Sequence, residues 1–470
     1  MRDSGKQPHM PTAFGPSPME RTILFVLPTL SALGPLLPAL PGLFAFRIAV
    51  ALLLVVVLAN RSLTLKNSPL ARSTIALLAA GAMSSTVLVI AHGLTSTGAS
   101  ELVSAAFGLL LLTSVVLVRA DAQVLRSLVG GWLVAFAVTG ALALQELRTG
   151  WRAPNYLLNR DSASVLTDTG AASSLGNPND YAYFLLASLL VFVAAFSCTR
   201  RRLLRISFLV AIALIPALIL ATGSSLGLLG LGILALALLA SRSAVVTICA
   251  APWLVAVILI ATTTPNFTSL VANNTAFDQG ATGTVRLNLL LNGLKFSLET
   301  GFLGLGPGGF EARVAAAQVG DYPTYGILSP HSALIEILSQ YGAIVLIFAA
   351  ILVLRLLIVG WRAARDLSSP KGDRFVGFTL VMFSAMIPVM SIMMSSTLDP
   401  SHTWMAFAVA LAAGRHLEDR SHAGALRISV GTPSREGDDR SSLRSDFTDD
   451  DRLVEPPFAK AARVRRTHEL

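Results

Sequence analysis

The chain has 470 residues, of which 53% are hydrophobic and only 13% charged, with a formal net charge of +9. A water-soluble domain carries about a quarter of its residues as charges, so this composition excludes an ordinary soluble protein. The apolar residues run continuously in Leu, Ala, Val and Ile rather than alternating, which excludes a β-barrel and points to an all-α, polytopic transmembrane helical bundle. The positive charge does not signal nucleic acid, because Lys and Arg gather between the apolar runs, where they set membrane topology.

Residues 1–22 are polar and proline-rich and read as a cytoplasmic segment without a cleavable leader pattern, so the first apolar run is expected to stay as a helix. Hydropathy predicts about 12 spans, at 23–40, 43–58, 74–91, 102–118, 128–144, 181–196, 206–221, 226–239, 244–261, 343–359, 375–394 and 404–413. Arg61, Lys66, Arg72, Arg119, Arg126, Arg200, Arg201, Arg202, Arg205, Arg242, Arg355, Arg362, Arg365, Lys371 and Arg374 then fall on one side, while 93–100 and 395–401 on the other side carry no Lys or Arg. That bias puts both termini in the cytoplasm and the long segments 145–180 and 262–342 outside. Residues 23–414 form the transmembrane domain on this reading, and the Ser-, Arg- and Asp-rich stretch 415–470 is expected to be a disordered cytoplasmic tail. Its Asp449-Asp450-Asp451 run reads as a solvated charge run rather than a metal motif. The two cysteines, Cys198 and Cys249, supply neither a disulfide framework nor a zinc cluster.

The outside segments hold most of the chemistry. Gly176-Asn177-Pro178-Asn179-Asp180 is a turn by residue type, and Asn179 or Asp180 suits the N-cap of the following helix. Capping accounts for most of that pattern but leaves the upstream Arg160 unexplained. The stretch 280–310, GTGTVRLNLLLNGLKFSLETGFLGLGPGGF, predicts an amphipathic helix and a turn, making 262–342 a large, partly helical loop. Leu287, Leu290, Leu291, Leu294 and Leu298 form one broad apolar face and Val285, Leu289 and Phe296 a second, as in a helix lying on a membrane surface. Arg286 falls between them, in line with Gly293 and Ser297. Either it points along a narrow cleft left open at Gly293, or it snorkels to lipid phosphate.

Gly304, Gly306 and Gly309 match the spacing of a dinucleotide fingerprint, but no strand precedes them. The turn at Gly306, Gly308 and Gly309 either exposes N–H groups suited to a phosphate or is a plain tight turn. The following YGILSPHSALIEILSQYGAIVL places Pro330 at a helix start with His331 in its first turn. Ser332, Glu336 and then Ser339 or Gln340 make a polar stripe by three- and four-residue spacing. A stripe of this kind entering a bilayer faces a cavity or another helix. His331 can take a proton near neutrality, or serve structure alone. Asp399 and His402 lie close together, but two ligands make a poor metal site and helix capping explains them better. No metal or other cofactor is expected.

In this order, the NPND turn, the arginine opening an amphipathic helix, the GLGPGGF turn and the histidine followed by a later glycine resemble the O-antigen ligase and polymerase superfamily, including its teichuronic acid polymerase-like members. The resemblance covers roughly 160–342, with hydropathy alone matching beyond. It implies a GT-C-like membrane glycosyltransferase of a bacterial plasma membrane. The donor would be a polyprenyl diphosphate-linked glycan, passed with inversion and without a metal to a glycan or lipid acceptor on the outer face. By motif, Arg286 would hold the donor diphosphate, together with Arg160 and the turn glycines Gly306, Gly308 and Gly309. His331 would act on the acceptor hydroxyl, with Ser332, Glu336, Asn177 and Asn179 in support. Two features depart from the pattern. The expected Ser-Arg-Gly at the eighth span is here Thr222-Gly223-Ser224-Ser225-Leu226-Gly227, and the usual His-Asn is His331-Ser332. The alternative is a secondary transporter or flippase for an envelope precursor, which predicts discontinuous helices, repeated halves and a midplane site. No internal repeat is evident, and the polar residues concentrate in the two outside segments.

Overall fold

A computed structural model describes residues 15–36, 44–60, 68–118, 121–153, 170–241, 282–316, 322–324, 326–394 and 396–430. It is 83% helical, and no strand occurs among the described residues. In chain order the helices are α1 (Pro18–Leu33), α2 (Ala45–Ala59), α3 (Pro69–His92), α4 (Ser96–Leu117), α5 (Ala122–Thr149), α6 (Pro178–Cys198), α7 (Arg202–Thr222) and α8 (Ser225–Ala240). They are followed by α9 (Thr282–Glu299), α10 (Gly309–Ala316), α11 (Ala333–Arg365), α12 (Lys371–Met393) and α13 (Ser401–Val430). Seven of these, α3 to α7, α11 and α12, are long and apolar enough to cross a membrane, and α2 and α8 are shorter apolar helices. Every expected span except the ninth overlaps a helix, although fewer than twelve meet both length and hydropathy. The ninth, 244–261, lies outside the described residues, as do Arg160 and 431–470.

Local sequence sets the helix starts. Ser17 and Glu20 form a reciprocal capping box ahead of α1, and Ser68, Thr95, Asp121, Asn177 and Ser224 each accept a backbone N–H at the start of their helices. Pro18, Pro69 and Pro178 occupy first helical positions, where their missing N–H costs nothing. Between apolar helices, association rests on close packing rather than on expulsion of water. The pair α11 and α12 meets at Gly360 and Gly377, where a Cβ on Gly360 would lie 2.8 Å from the Gly377 carbonyl.

Two helices form the centre. Residues 181–190 of α6 are buried on every face, and so are 402–412 of α13 apart from Phe407. A helix apolar all round belongs inside a bundle. Trp132 of α5 fastens α6 by donating to Ser188 Oγ at 2.8 Å and stacking on Phe184. Tyr183 and His402 bring the two central helices together, with ring centroids 5.8 Å apart.

The helices alternate, so their ends sort into two groups. At one end, Gly372 approaches Cys198, Ser68 donates to Glu418, and Arg420 pairs with Asp373. Arg200, Arg201, Arg202, Arg205, Arg362, Arg365, Lys371 and Arg374 occupy helix ends of this group. At the opposite end, Ser401 donates to the Ser31 carbonyl, Ser104 to Asp399, and Ser224 to Asn179.

The structure moves one boundary. The tail expected from residue 415 is helical to Val430, continuous with α13. Arg415 is buried, 3.6 Å from Glu418 and 3.8 Å from Asp419. Glu418 in turn accepts from Ser68 Oγ and the Leu70 N–H. Charges that look solvated in sequence are here paired one turn apart and fasten α13 to the start of α3. By contacts the chain divides after His422, the second unit beginning at Ala423.

Candidate functional site

The site is built around an interruption in α11. A continuous helix of 33 residues would be about 50 Å long, well beyond a hydrocarbon core of about 30 Å. At Gly342, φ is +84° and the helix breaks. The break would strand the carbonyls of Ser339 and Gln340 and the N–H of Ala343. The turn after α9 takes up all three: Leu305 N–H donates to Ser339 O at 2.8 Å, Gly306 N–H to Gln340 O at 2.9 Å, and Ala343 N–H to Phe302 O at 2.9 Å. Ser84 Oγ also caps the Tyr341 carbonyl. Buried irregular backbone of this kind survives in a bundle only when every polar group finds a partner.

This settles what the glycine turn does in the described state. The N–H of Gly306 goes to Gln340, that of Gly309 to the Gly306 carbonyl, and that of Gly308 to the side chains of Glu101 and Gln340. None of the three faces an open space where a phosphate would sit. The phosphate-cradle expectation for Gly306, Gly308 and Gly309 therefore gives way to a clasp on the broken helix. A Cβ on Gly98 would lie 2.2 Å from the Pro307 carbonyl, so the first turn of α4 is pressed onto the same clasp.

Arg286 and His331 come together on the C-terminal end of α12. Arg286 Nη1 donates to the Ile392 carbonyl at 2.9 Å, and His331 hydrogen-bonds to the Met394 backbone. Helix α9 presents its Val285–Leu289–Phe296 face to Phe310, Val314 and Ile335, while Leu287, Leu294 and Leu298 face outward. Of the two alternatives for Arg286, the cleft at Gly293 is absent: a Cβ there would meet Ile335 Cγ2 at 2.1 Å, so the missing side chain serves close packing of α9 on α11. Asn288 and Asn292 donate to the carbonyls of Pro323 and Tyr322 and tie the following segment to α9.

His331 is not in the first turn of the helix. It precedes α11, whose N-cap is Ser332, and adopts φ +47°. A left-handed conformation at a non-glycine residue is uncommon and clusters at functional positions. The Nδ1 atom of His331 is buried and has no hydrogen-bond partner. Burial pushes the imidazole down to about 4 and the Arg286 charge adds to this, against the hydrogen bond to Met394. It is thus a neutral ring with an unpaired buried nitrogen. Burial also lowers the affinity of Arg286 for its proton. No carboxylate among the described residues forms an ion pair with Arg286. A half-buried guanidinium beside a neutral imidazole, with no acid opposite, is suited to an anionic ligand.

Glu336 holds this arrangement from behind. Its carboxylate is buried and accepts from Ser396 Oγ and from the Thr397 N–H at 2.7 Å. The segment it fixes continues directly from the Ile392 and Met394 backbone that Arg286 and His331 grip. Next to it, Arg47 donates to Ser104 Oγ at 2.8 Å, and Ser104 donates to Asp399 at 2.7 Å. Asp399 is thus a side-chain acceptor for α4. Glu101, which no motif marks, is the sole charged residue of α4 and reaches the clasp through Gly308. That isolation in an apolar run was the available signal. Among the described residues no group of three or more His, Cys, Asp or Glu is placed to hold a metal ion.

The NPND turn lies at a separate corner. Asn177, rather than Asn179 or Asp180, caps α6, accepting from the Asn179 N–H at 2.8 Å. Asn179 Oδ1 accepts from Ser224 Oγ at 2.7 Å, and so joins the start of α6 to that of α8. The Thr222–Ser224 stretch that departs from the family pattern is held by this turn. No protein-family model matches the chain, and no curated protein matches it.

Proposed function

We propose that this protein is a membrane glycosyltransferase of the O-antigen ligase and polymerase type. It would transfer a polyprenyl diphosphate-linked glycan to a glycan or lipid acceptor at the outer face of a bacterial plasma membrane. The observation that carries the reading is the juxtaposition of Arg286 and His331 on the 392–394 backbone, with no ion-pair partner for the arginine among the described residues. A diphosphate is already a competent leaving group and needs its developing charge neutralised, a role for Arg286. The acceptor oxygen attacks the anomeric carbon, the bond from that carbon to the diphosphate oxygen breaks, and the diphosphate leaves with the electron pair. The hydroxyl proton passes to the free nitrogen of His331. A docked diphosphate would place negative charge near the ring and raise its proton affinity toward the range a general base requires. The concentration of basic helix ends at the far end of the bundle supports a cytoplasmic position for that end and an outer position for the site.

One observation favours the transporter reading: α11 is discontinuous, as transporter helices often are. In transporters, however, the unwound backbone coordinates the cargo. Here the freed groups of Ser339, Gln340 and Ala343 are each already bonded to the clasp.

The test is reconstitution with a polyprenyl diphosphate glycan and candidate acceptors. Arg286→Ala is expected to lose transfer by about a hundredfold or more while still inserting and folding. Undiminished transfer by Arg286→Ala would overturn the assignment, and solute movement through proteoliposomes without glycan transfer would favour the transporter.

A further inference from the structure

The far end of the bundle carries a second cationic feature, separate from the Arg286 region. Arg200, Arg201, Arg202 and Arg205 crowd the junction between α6 and α7. A shallow cleft of about 270 Å³ opens there, lined by Phe196, Arg200, Arg202, Arg205, Ile206 and Leu209. Two other arginines at this end are paired within the protein, Arg420 with Asp373 and Arg415 with Glu418 and Asp419, while Arg362, Arg365, Lys371 and Arg374 are spread along two helix ends rather than gathered on one cleft. None of the four junction arginines has an ion-pair partner among the described residues. The Arg205 guanidinium lies over the Phe196 ring at 4.7 Å. That contact holds the cation at the rim of the cleft. Below the arginines the wall turns aliphatic and stays uncovered: Leu209 is 55% and Val210 52% exposed on α7.

We infer that this cleft binds the head group of an anionic glycerophospholipid from the surrounding bilayer. Two properties on one short surface point to that occupant. Several uncompensated guanidiniums match the oxygens of a phosphodiester, and the aliphatic track along α7 continues from them in the direction an acyl chain takes. A soluble phosphate would use the first property and have no use for the second. Arginines that merely marked topology would need no lined cleft with an aliphatic wall below it; the ring under Arg205 is not in itself distinctive, since Arg365 lies over Trp361 at 4.3 Å. Basic pockets beside membrane helices are a recurring site for anionic lipid head groups.

The experiment is native mass spectrometry of the full chain, delipidated and then titrated with phosphatidylglycerol or phosphatidylcholine. Wild type is expected to bind the anionic lipid roughly tenfold more tightly than the zwitterionic one. The Arg202→Gln/Arg205→Gln double variant is expected to lose that preference, while Arg362→Gln/Arg374→Gln, at the same end but outside the cleft, keeps it. All four side chains project at helix ends, and retention on size exclusion checks that the variants fold. Equal binding of the two lipids by wild type would overturn the inference, as would an unchanged preference in the cleft variant. Displacement of bound phosphatidylglycerol by millimolar inorganic phosphate would also overturn it, by showing that the cleft reads phosphate without the lipid.

Discussion

Two corners at the same end of the bundle are made from similar residues and end up differently. At the first, Asn177, Asn179, Thr222 and Ser224 lock α6, α7 and α8 together, and the side chains of Asn177, Asn179 and Ser224 each have a hydrogen-bond partner. At the second, around the break in α11, the backbone groups of Ser339, Gln340, Tyr341 and Ala343 are bonded but several side chains are not. His331 Nδ1, Gln340 Nε2, Tyr341 OH and Thr397 Oγ1 are buried without partners. Buried polar atoms almost always find partners, so a corner that leaves several open has capacity for a ligand. The first corner is chiefly a fastening, with the buried Tyr181 OH open beside it, and the second combines a fastening in its backbone with a larger set of unused side-chain atoms.

Paired glycine substitutions give the sharpest way to break that comparison. Gly342 has φ +84°, and a Cβ there would meet the Leu303 carbonyl at 2.4 Å; Gly223 has φ +67° and open space around it. Gly342→Ala is expected to cost about 3 kcal/mol or more in stability and Gly223→Ala about 1 kcal/mol. Thermal unfolding of the purified variants measures both, and equal losses would mean that the clasp is no tighter than an ordinary turn.

A smaller effect follows from pH. His331 binds a proton in the unfolded chain near the usual imidazole value of about 6.5, and in the folded protein only near about 4. Between those values the unfolded state holds more protons, so stability is full above the upper one and falls as pH drops toward the lower. The loss attributable to this ring is about 2 kcal/mol once its partial exposure is allowed for. His331→Asn removes the titration with a residue that tolerates a left-handed backbone. Chemical unfolding measured from pH 7 to pH 4 should show a flatter slope in that variant, and an identical slope would place the ring in water rather than in the site.

The smallest effect belongs to the first corner. Asn177→Ala is expected to lower stability by about 1 kcal/mol, the value of an N-cap, and Asn177→Ser should recover most of it. If serine fails where a cap oxygen is all that is needed, the turn is doing something other than capping.

The helices were legible because their apolar runs are long, and the boundary expected at residue 343 coincides with the break at Gly342. Val285, Leu289 and Phe296 were correctly grouped, since periodicity along one helix is a local property. What periodicity cannot supply is which partner fills a gap. The space at Gly293 is taken by Ile335, and the amides of the glycine turn are taken by Gln340 and Glu101. Arg415 and Glu418 were mistaken for tail because charge in sequence looks the same whether solvated or paired. Arg286 and His331 stood out by residue type, whereas the carbonyls of Ile392 and Met394 that gather them carry no side-chain signature at all.

The clasp on α11 also sets a rule for chain length. Phe302, Leu305 and Gly306 engage groups whose spacing is dictated by helical pitch at Ser339, Gln340 and Ala343. An added or deleted residue between Phe302 and Gly306 would shift those donors and acceptors out of step, as a mis-cut key misses its pins. These five positions cannot grow or shrink without breaking the clasp.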